Sequence, residues 1–217
     1  MLKSIIGEKL GMTQIFDNKG NIVPVTVVEA GPCIVTGVRV IDKEGYSAVQ
    51  FGFGDKKKKN LTRSQAGFFK KNNLLPKKII KEFRIADLDE FTLGQEIKVD
   101  LFKPGDYVDV SAISKGKGYA GVIKRHNFSM QSVTHGQSDR TRARGSSGGQ
   151  GPQKVLKGTK MSGHLGCKYA TIQGLLVVNV NIENNVLLLK GSVPAAKNGI
   201  LFISATVRKV PSNSENN

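Results

Sequence analysis

From Ser129 to Lys168 the chain runs for 40 residues without a Phe, Tyr or Trp and with almost no apolar periodicity. Gly136, Gly145, Gly148, Gly149, Gly151, Gly158, Gly163 and Gly166 lie inside this stretch. Such a segment cannot bury enough apolar surface to offset the entropy lost on ordering itself. A structureless stretch this long inside a compact domain is uncommon, and is either functional or disordered. It lies between two strand-like segments, Tyr107–Ile113 and Ile172–Ile182, that must pair with one another. The expectation is therefore a doubled-back, extended arm leaving the body. With about twenty residues each way at about 3.3 Å per residue, it would reach roughly 60 Å.

Charge is concentrated in the same region. Of the 33 Lys and Arg and 17 Asp and Glu that give a formal net charge of +16, residues 112–168 hold 11 basic and one acidic side chain, Asp139. Residues 56–81 hold 10 basic and none acidic, while 82–111 hold 3 basic and 8 acidic. A surface charged for solubility would mix both signs. Segregation into two basic blocks points to two contact surfaces for a polyanion, with nucleic acid first and acidic membrane second. A solvated Lys-rich loop is the bland alternative for Lys56, Lys57, Lys58 and Lys59, and a weaker one for 112–168.

At 217 residues the chain is long enough for a real core and for one or two domains. Two cysteines cannot build a disulfide framework, which favours a reducing compartment. The first residues, MLKSIIGEKLGMTQIF, form no apolar h-region, and nowhere do about 18 apolar residues follow one another, so neither secretory signal nor transmembrane helix is expected. Ile22–Glu29, Ile34–Ile41 and Tyr46–Phe53 read as consecutive antiparallel strands. Glu96–Leu101 and Tyr107–Ile113 flank Lys103-Pro104-Gly105-Asp106, a hairpin signal. Ile172–Ile182, Val186–Lys190 and Ile200–Arg208 complete the strands, and Ser64–Lys71 and Gly121–Asn127 are short helices. Many short strands at this spacing mean a β-barrel or sandwich, and closure into a barrel removes the exposed edges. The fold class is thus mainly β: a β-barrel with a small irregular and helical insertion at about 55–95 and a long, extended basic arm. Residues 1–128 supply the first part of the barrel, 129–168 the arm, 169–210 the barrel's completion and 211–217 a polar tail.

Several motifs invite catalytic readings that their context does not support. Gly116-Lys117-Gly118-Tyr119-Ala120-Gly121 matches a dinucleotide fingerprint, but no second parallel strand and no suitably placed acid follow. It reads better as a tight basic turn whose glycines let phosphate approach the backbone, with Lys115 and Lys117 adding point charges. Gly145-Ser146-Ser147-Gly148-Gly149 lacks the strand and helix that a nucleophile elbow needs. His164-x-x-Cys167 is half of a zinc site, with Cys33 far away in sequence. Arg140, Arg142 and Arg144 alternate, which on an extended strand puts three guanidiniums on one side, suited to phosphate and to stacking. Lys154, Lys157, Lys160 and Lys168 spread along the second limb. Without rings between 129 and 168, this stretch should thread structured RNA through phosphate, ribose and backbone rather than act as a sequence-tolerant single-strand binder. Neither paired acids nor a G-x-x-x-x-G-K-[ST] loop supports an RNA-modifying or nucleotide-dependent enzyme, and a free-standing translation factor is the other rival.

Gly7-Glu8-Lys9-Leu10-Gly11-Met12-Thr13-Gln14-Ile15-Phe16 with Ile22–Val27, then Ser114–Val122 with Lys124-Arg125-His126-Asn127-Phe128, then Thr134-His135-Gly136, Gly145-Ser146 and Lys157–His164 together resemble the universal L-three family of bacterial-type large ribosomal subunit proteins. The likeness runs colinearly over nearly the whole chain. It implies a translation-protein-type β-barrel, no enzymatic activity, no cofactor, metal, membrane or small-molecule substrate, and an arm entering the large subunit toward the peptidyl transferase centre. It further implies binding to the 3′ domain of large-subunit rRNA early in assembly, neighbours such as subunit proteins fourteen and nineteen, and a cytoplasmic or bacterial-type organellar ribosome. The rRNA-binding residues would be Lys115, Lys117, Lys124, Arg125, His126, His135, Arg140, Arg142, Arg144, Lys154, Lys157, Lys160, His164 and Lys168, with Lys56–Lys59 and Lys70–Lys81 as a shallower contact. Aligning Gln150-Gly151-Pro152 with the family's Gln-Thr-Pro places Gln150 at a glutamine that is N5-methylated in some bacterial members.

Overall fold

The computed structural model describes residues 3–17, 19–85, 88 and 91–208; the polar tail 211–217 lies outside the described residues. The elements are β1 (Ser4–Phe16), β2 (Ile22–Ala30), β3 (Cys33–Arg39), the single turn α1 (Ile41–Glu44), β4 (Ala48–Asp55), α2 (Arg63–Lys71), β5 (Lys77–Arg84), β6 (Glu96–Ile97), β7 (Tyr107–Ile113), β8 (Tyr119–Ala120), α3 (Val122–His126), β9 (Gly163–His164), β10 (Tyr169–Asn181), β11 (Val186–Lys190) and β12 (Ile200–Ala205). The protein is mainly β, and six antiparallel strands close into a barrel in the order β1-β12-β7-β10-β11-β2. Alternation fills its interior: Val108, Val110 and Ala112 on β7, Leu187 and Leu189 on β11, and Leu201 and Ile203 on β12 are buried.

β1 is a strand beyond those read from the sequence, and it contains Gly7 within its run. Register explains the glycine. Gly7 faces Ala30 of β2, and a Cβ there would sit 2.7 Å from the Glu29 carbonyl oxygen, so only glycine permits this approach. The pairing then shifts at a bulge between Lys9 and Gly11.

The segments read as three consecutive paired strands divide between two sheets. β2 stays in the barrel between β1 and β11, whereas β3 and β4 join a second sheet ordered β5-β4-β3-β6. The expected hairpin across Lys103–Asp106 is also redistributed. Its turn is real: the Asp106 N–H donates to the Lys103 carbonyl at 3.1 Å and Gly105 has φ +94. The flanking segments do not pair, since β6 joins β3 while β7 joins β10 and β12. The insertion at about 55–95 is more regular than expected. Thr62 caps α2 by accepting from the Gln65 N–H at 3.3 Å, and β5 completes the second sheet along β4. One core joins barrel and sheet, with the Phe51 ring 5.4 Å from Phe83 and 6.0 Å from Phe91.

The chain divides into two compact units, one built from residues up to Ile113 and from Tyr169 onward, the other Ser114–Lys168. The second is inserted between β7 and β10, which pair with one another, as the sequence requires, from Tyr169↔Ile113 to Leu176↔Tyr107.

The two cysteines differ sharply. Cys33 is buried on β3, and burial, partly opposed by a hydrogen bond to the Ile6 carbonyl and then by the Lys77 charge, pushes its thiol up to about 11; Cys167 is exposed. The thiolate is the reactive form. Iodoacetamide at mildly alkaline pH is therefore expected to label Cys167 in the folded protein and Cys33 only after denaturation. Peptide mapping checks this, and equal labelling of both thiols under native conditions would contradict the fold around β3.

Candidate nucleic-acid interface

The Ser114–Lys168 unit has an ordered root and an open remainder. At the root the two limbs run antiparallel: Ser114 N–H donates to Lys168 O at 2.8 Å, Lys117 N–H to Leu165 O at 2.9 Å, and Leu165 N–H to Gly118 O at 2.9 Å. β8 and β9 then pair through Tyr119↔His164 and Ala120↔Gly163. Of the glycines in the basic turn, Gly116 serves this approach of chain to chain, while Gly118 and Gly121 face open space. A Cβ on Gly116 would meet Cys167 Sγ at 2.8 Å, and one on Gly166, at φ +82, would run into the Lys115 carbonyl. His164 and Cys167 are thus placed by limb packing. Among the described residues no three His, Cys, Asp or Glu side chains converge.

α3 supplies the second lock. Arg125 Nη1 donates to Met161 O at 2.6 Å, and His126 Nε2 lies 3.1 Å from the same oxygen. Lys124, Arg125 and His126 fill the last turn of α3, where cations complement the negative end of the helix, and Asn127 closes it at φ +57. Arg125 and His126, read as nucleic-acid ligands, therefore hold the root together first. Lys115, Lys117, Lys124 and Lys168 surround it on exposed positions.

The limbs double back as expected, but beyond the root the extended arm is not confirmed, and the chain there runs through turns. The six glycines there, Gly136, Gly145, Gly148, Gly149, Gly151 and Gly158, all have positive φ, a conformation of turns rather than strands. Ala143 N–H donates to Arg140 O at 3.1 Å, Gln131 N–H to Thr141 O at 3.1 Å, and Thr159 Oγ1 to Leu156 O at 2.6 Å. The turn at Arg140–Ala143 cancels the alternation argument: Arg140, Arg142 and Arg144 do not line one side of a strand. Arg142 instead points a nitrogen to Met130 Sδ at 3.2 Å. Ser147 has neither strand before it nor helix after it, and the neighbouring Ser146 Oγ accepts from the Gly148 N–H. Between Val122 and Val177 no residue is buried, so His135, Arg140, Arg142, Lys154, Lys157, Lys160, His164 and Gln150 all face solvent and Arg144 is half-covered.

The first basic block belongs to the other unit. Lys57, Lys58 and Lys59 are exposed around a short 3-10 turn, while Lys56 donates to Gln65 Oε1 at 3.2 Å. Part of the Lys70–Lys81 group is engaged internally: Lys77 pairs with Asp55 at 2.8 Å, and Lys81 lies 5.4 Å over the Phe202 ring.

Sequence reasoning passed over Tyr119. The residue is 79% exposed, yet its hydroxyl is tied to Ser162 Oγ at 2.8 Å. The signal was available as a ring set among glycines and lysines, with no apolar run to bury it.

Residues 78–185 match the sequence model of the family described as Ribosomal protein L3. Full-length relatives extend the likeness. A protein of Endomicrobium trichonymphae named large ribosomal subunit protein uL3 is 67% identical over 211 residues, covering 97% of this chain and 93% of its own length. Proteins of the same name from Brachyspira pilosicoli and Cutibacterium acnes are 51% and 46% identical, each over at least 94% of both chains.

Proposed function

The chain belongs to the ribosomal protein L3 family, and from that premise we propose how it works in the particle. It is a structural protein of the large ribosomal subunit in the cytoplasm, not an enzyme. Its barrel and second sheet form the anchoring body. The Ser114–Lys168 unit binds large-subunit rRNA, docking through its rigid root and ordering its turns against folded RNA. The observation that carries this reading is that no residue from Ile123 to Lys168 is buried, in a unit holding 11 basic side chains against one acidic. Such a segment gains little by packing on itself and much by displacing counterions from phosphates.

The reading extends to the 3′ domain of the rRNA, to a role early in assembly, and to a tip drawn out toward the peptidyl transferase centre. Lys57, Lys58 and Lys59 give the second, shallower contact, and subunit proteins such as fourteen and nineteen lie alongside. Gln150, exposed at a turn, is the position open to N5-methylation. Tagged protein is expected to co-sediment with large subunits through a high-salt sucrose gradient. Recovery at the top of the gradient, with free protein, would overturn the reading.

A further inference from the structure

We propose that Tyr119, with His164 beside it, is a stacking platform for an unpaired nucleobase of RNA; the inference rests on the RNA-binding reading above and adds a ligand class to its root. Tyr119 is the most exposed Phe or Tyr among the described residues, at 79%. An aromatic ring left in water is ordinarily a loose end, but this one is fixed twice. Its backbone is paired through β8 and β9, and its hydroxyl meets Ser162 Oγ at 2.8 Å. His164 lies directly across the ladder, and residues opposed in an antiparallel pair project to the same face. Two flat side chains thus share one open face of a short ribbon.

The ribbon is rigid before any ligand arrives. The Arg125 guanidinium and the His126 ring both reach the carbonyl of Met161, next to Ser162, and Lys117 and Leu165 are tied across the limbs. A preorganised ring loses little freedom when a base settles on it. Lys117, Lys124 and Lys160 hold exposed positions nearby in sequence, and the acid nearest to Tyr119 in sequence, Asp109 on β7, is buried and accepts from the Gly174 N–H at 2.9 Å. A flat ring among cations, with carboxylates absent from the adjoining sequence, suits a π-faced anion, meaning a nucleotide, better than an acidic peptide. Paired bases in an A-form helix keep their faces stacked inside, so the ligand is a base outside a helix.

The test compares a fully paired RNA duplex with the same duplex carrying one bulged nucleotide, titrated against the full-length protein over a salt series. Wild type is expected to prefer the bulged duplex by about 5- to 100-fold, the range of base–aromatic stacking. Tyr119→Ala should erase that preference while leaving paired-duplex binding and the salt slope unchanged, because no charge is lost. Tyr119→Phe, which keeps the ring and loses only the Ser162 tether, should retain most of the preference. A wild type indifferent to the bulge, or a Tyr119→Ala variant that keeps the preference, overturns the platform alone. Failure to bind either duplex or deproteinised large-subunit rRNA overturns the RNA-binding reading and the platform with it.

Discussion

Alanine at Arg140, Arg142, Arg144, Lys154, Lys157 and Lys160 together is expected to weaken rRNA binding by about 10³- to 10⁴-fold at 0.15 M salt. The magnitude follows from counterion release. Each phosphate neutralised contributes about 0.7–0.9 to the slope of log affinity against log salt, so six contacts contribute about 4–5, and the electrostatic gain vanishes near 1 M salt. The structure makes these six a clean set: five are exposed, Arg144 is half-covered, and none is ion-paired among the described residues. Protein stability should therefore scarcely change, since surface substitutions away from buried features stay within about 0.5 kcal/mol. The Arg140/Arg142/Arg144 triple variant should give about half of the slope change. Arg125→Ala should behave differently, loosening the root by removing the contact to Met161 while taking at most one unit from the slope. Fluorescence anisotropy across a salt series separates these outcomes. A sextuple variant with an unaltered slope would remove the region beyond the root from the RNA interface.

What the sequence disclosed and what it concealed follow from the range over which each signal acts. Charge segregation is a property of composition, and it located the Ser114–Lys168 unit without any geometry. Local chemistry also came through. Pro104 and Gly105 specify a turn, the short helix expected over Ser64–Lys71 is α2, and β-branched Val108, Val110 and Ile113 mark β7. Pairing came through for β7 with β10, which the inserted segment forces together, but not for the Lys103–Asp106 turn, whose two flanking strands each find partners elsewhere. β1 and β5 were illegible for opposite reasons: close backbone approach demands glycine in the first, while Lys77, Lys78 and Lys81 give the second the look of a solvated loop. At the site, residue type announced binding capacity but not its use. Arg125 and His126 carry the expected chemistry and apply it inward, to a carbonyl of their own chain. Arg140 and Arg142 lost their inferred alignment because the backbone turns at Arg140–Ala143, closed by the Ala143 N–H on the Arg140 carbonyl, a fact of backbone conformation rather than of spacing.

Replacing residues 115–167 with Asn-Gly is expected to leave a cooperatively folding protein that is more stable than the parent. β7 and β10 already form the two arms of a hairpin, paired at Ile113↔Tyr169, and the next pair outward is closed by the Ser114 N–H on Lys168 O at 2.8 Å. A two-residue Asn-Gly connection is the turn whose twist suits such strands. The core that unites barrel and second sheet contains no residue between Ala112 and Leu175, so the excision removes no side chain from it. Loop closure favours the shorter chain. Each doubling of loop length costs about 0.6 kcal/mol, and between four and five doublings separate the two connections, giving about 3 kcal/mol. For a chain of this size that corresponds to a rise in Tm of up to about 10 °C. RNA affinity should fall to whatever Lys57, Lys58 and Lys59 sustain alone, with the salt slope reduced accordingly. Calorimetry and a salt titration on the one variant report both halves. A broad, non-cooperative transition, or a Tm well below the parent's, would mean that the inserted unit is part of what holds the body together, and the division of labour between anchor and RNA-binding segment would have to be abandoned.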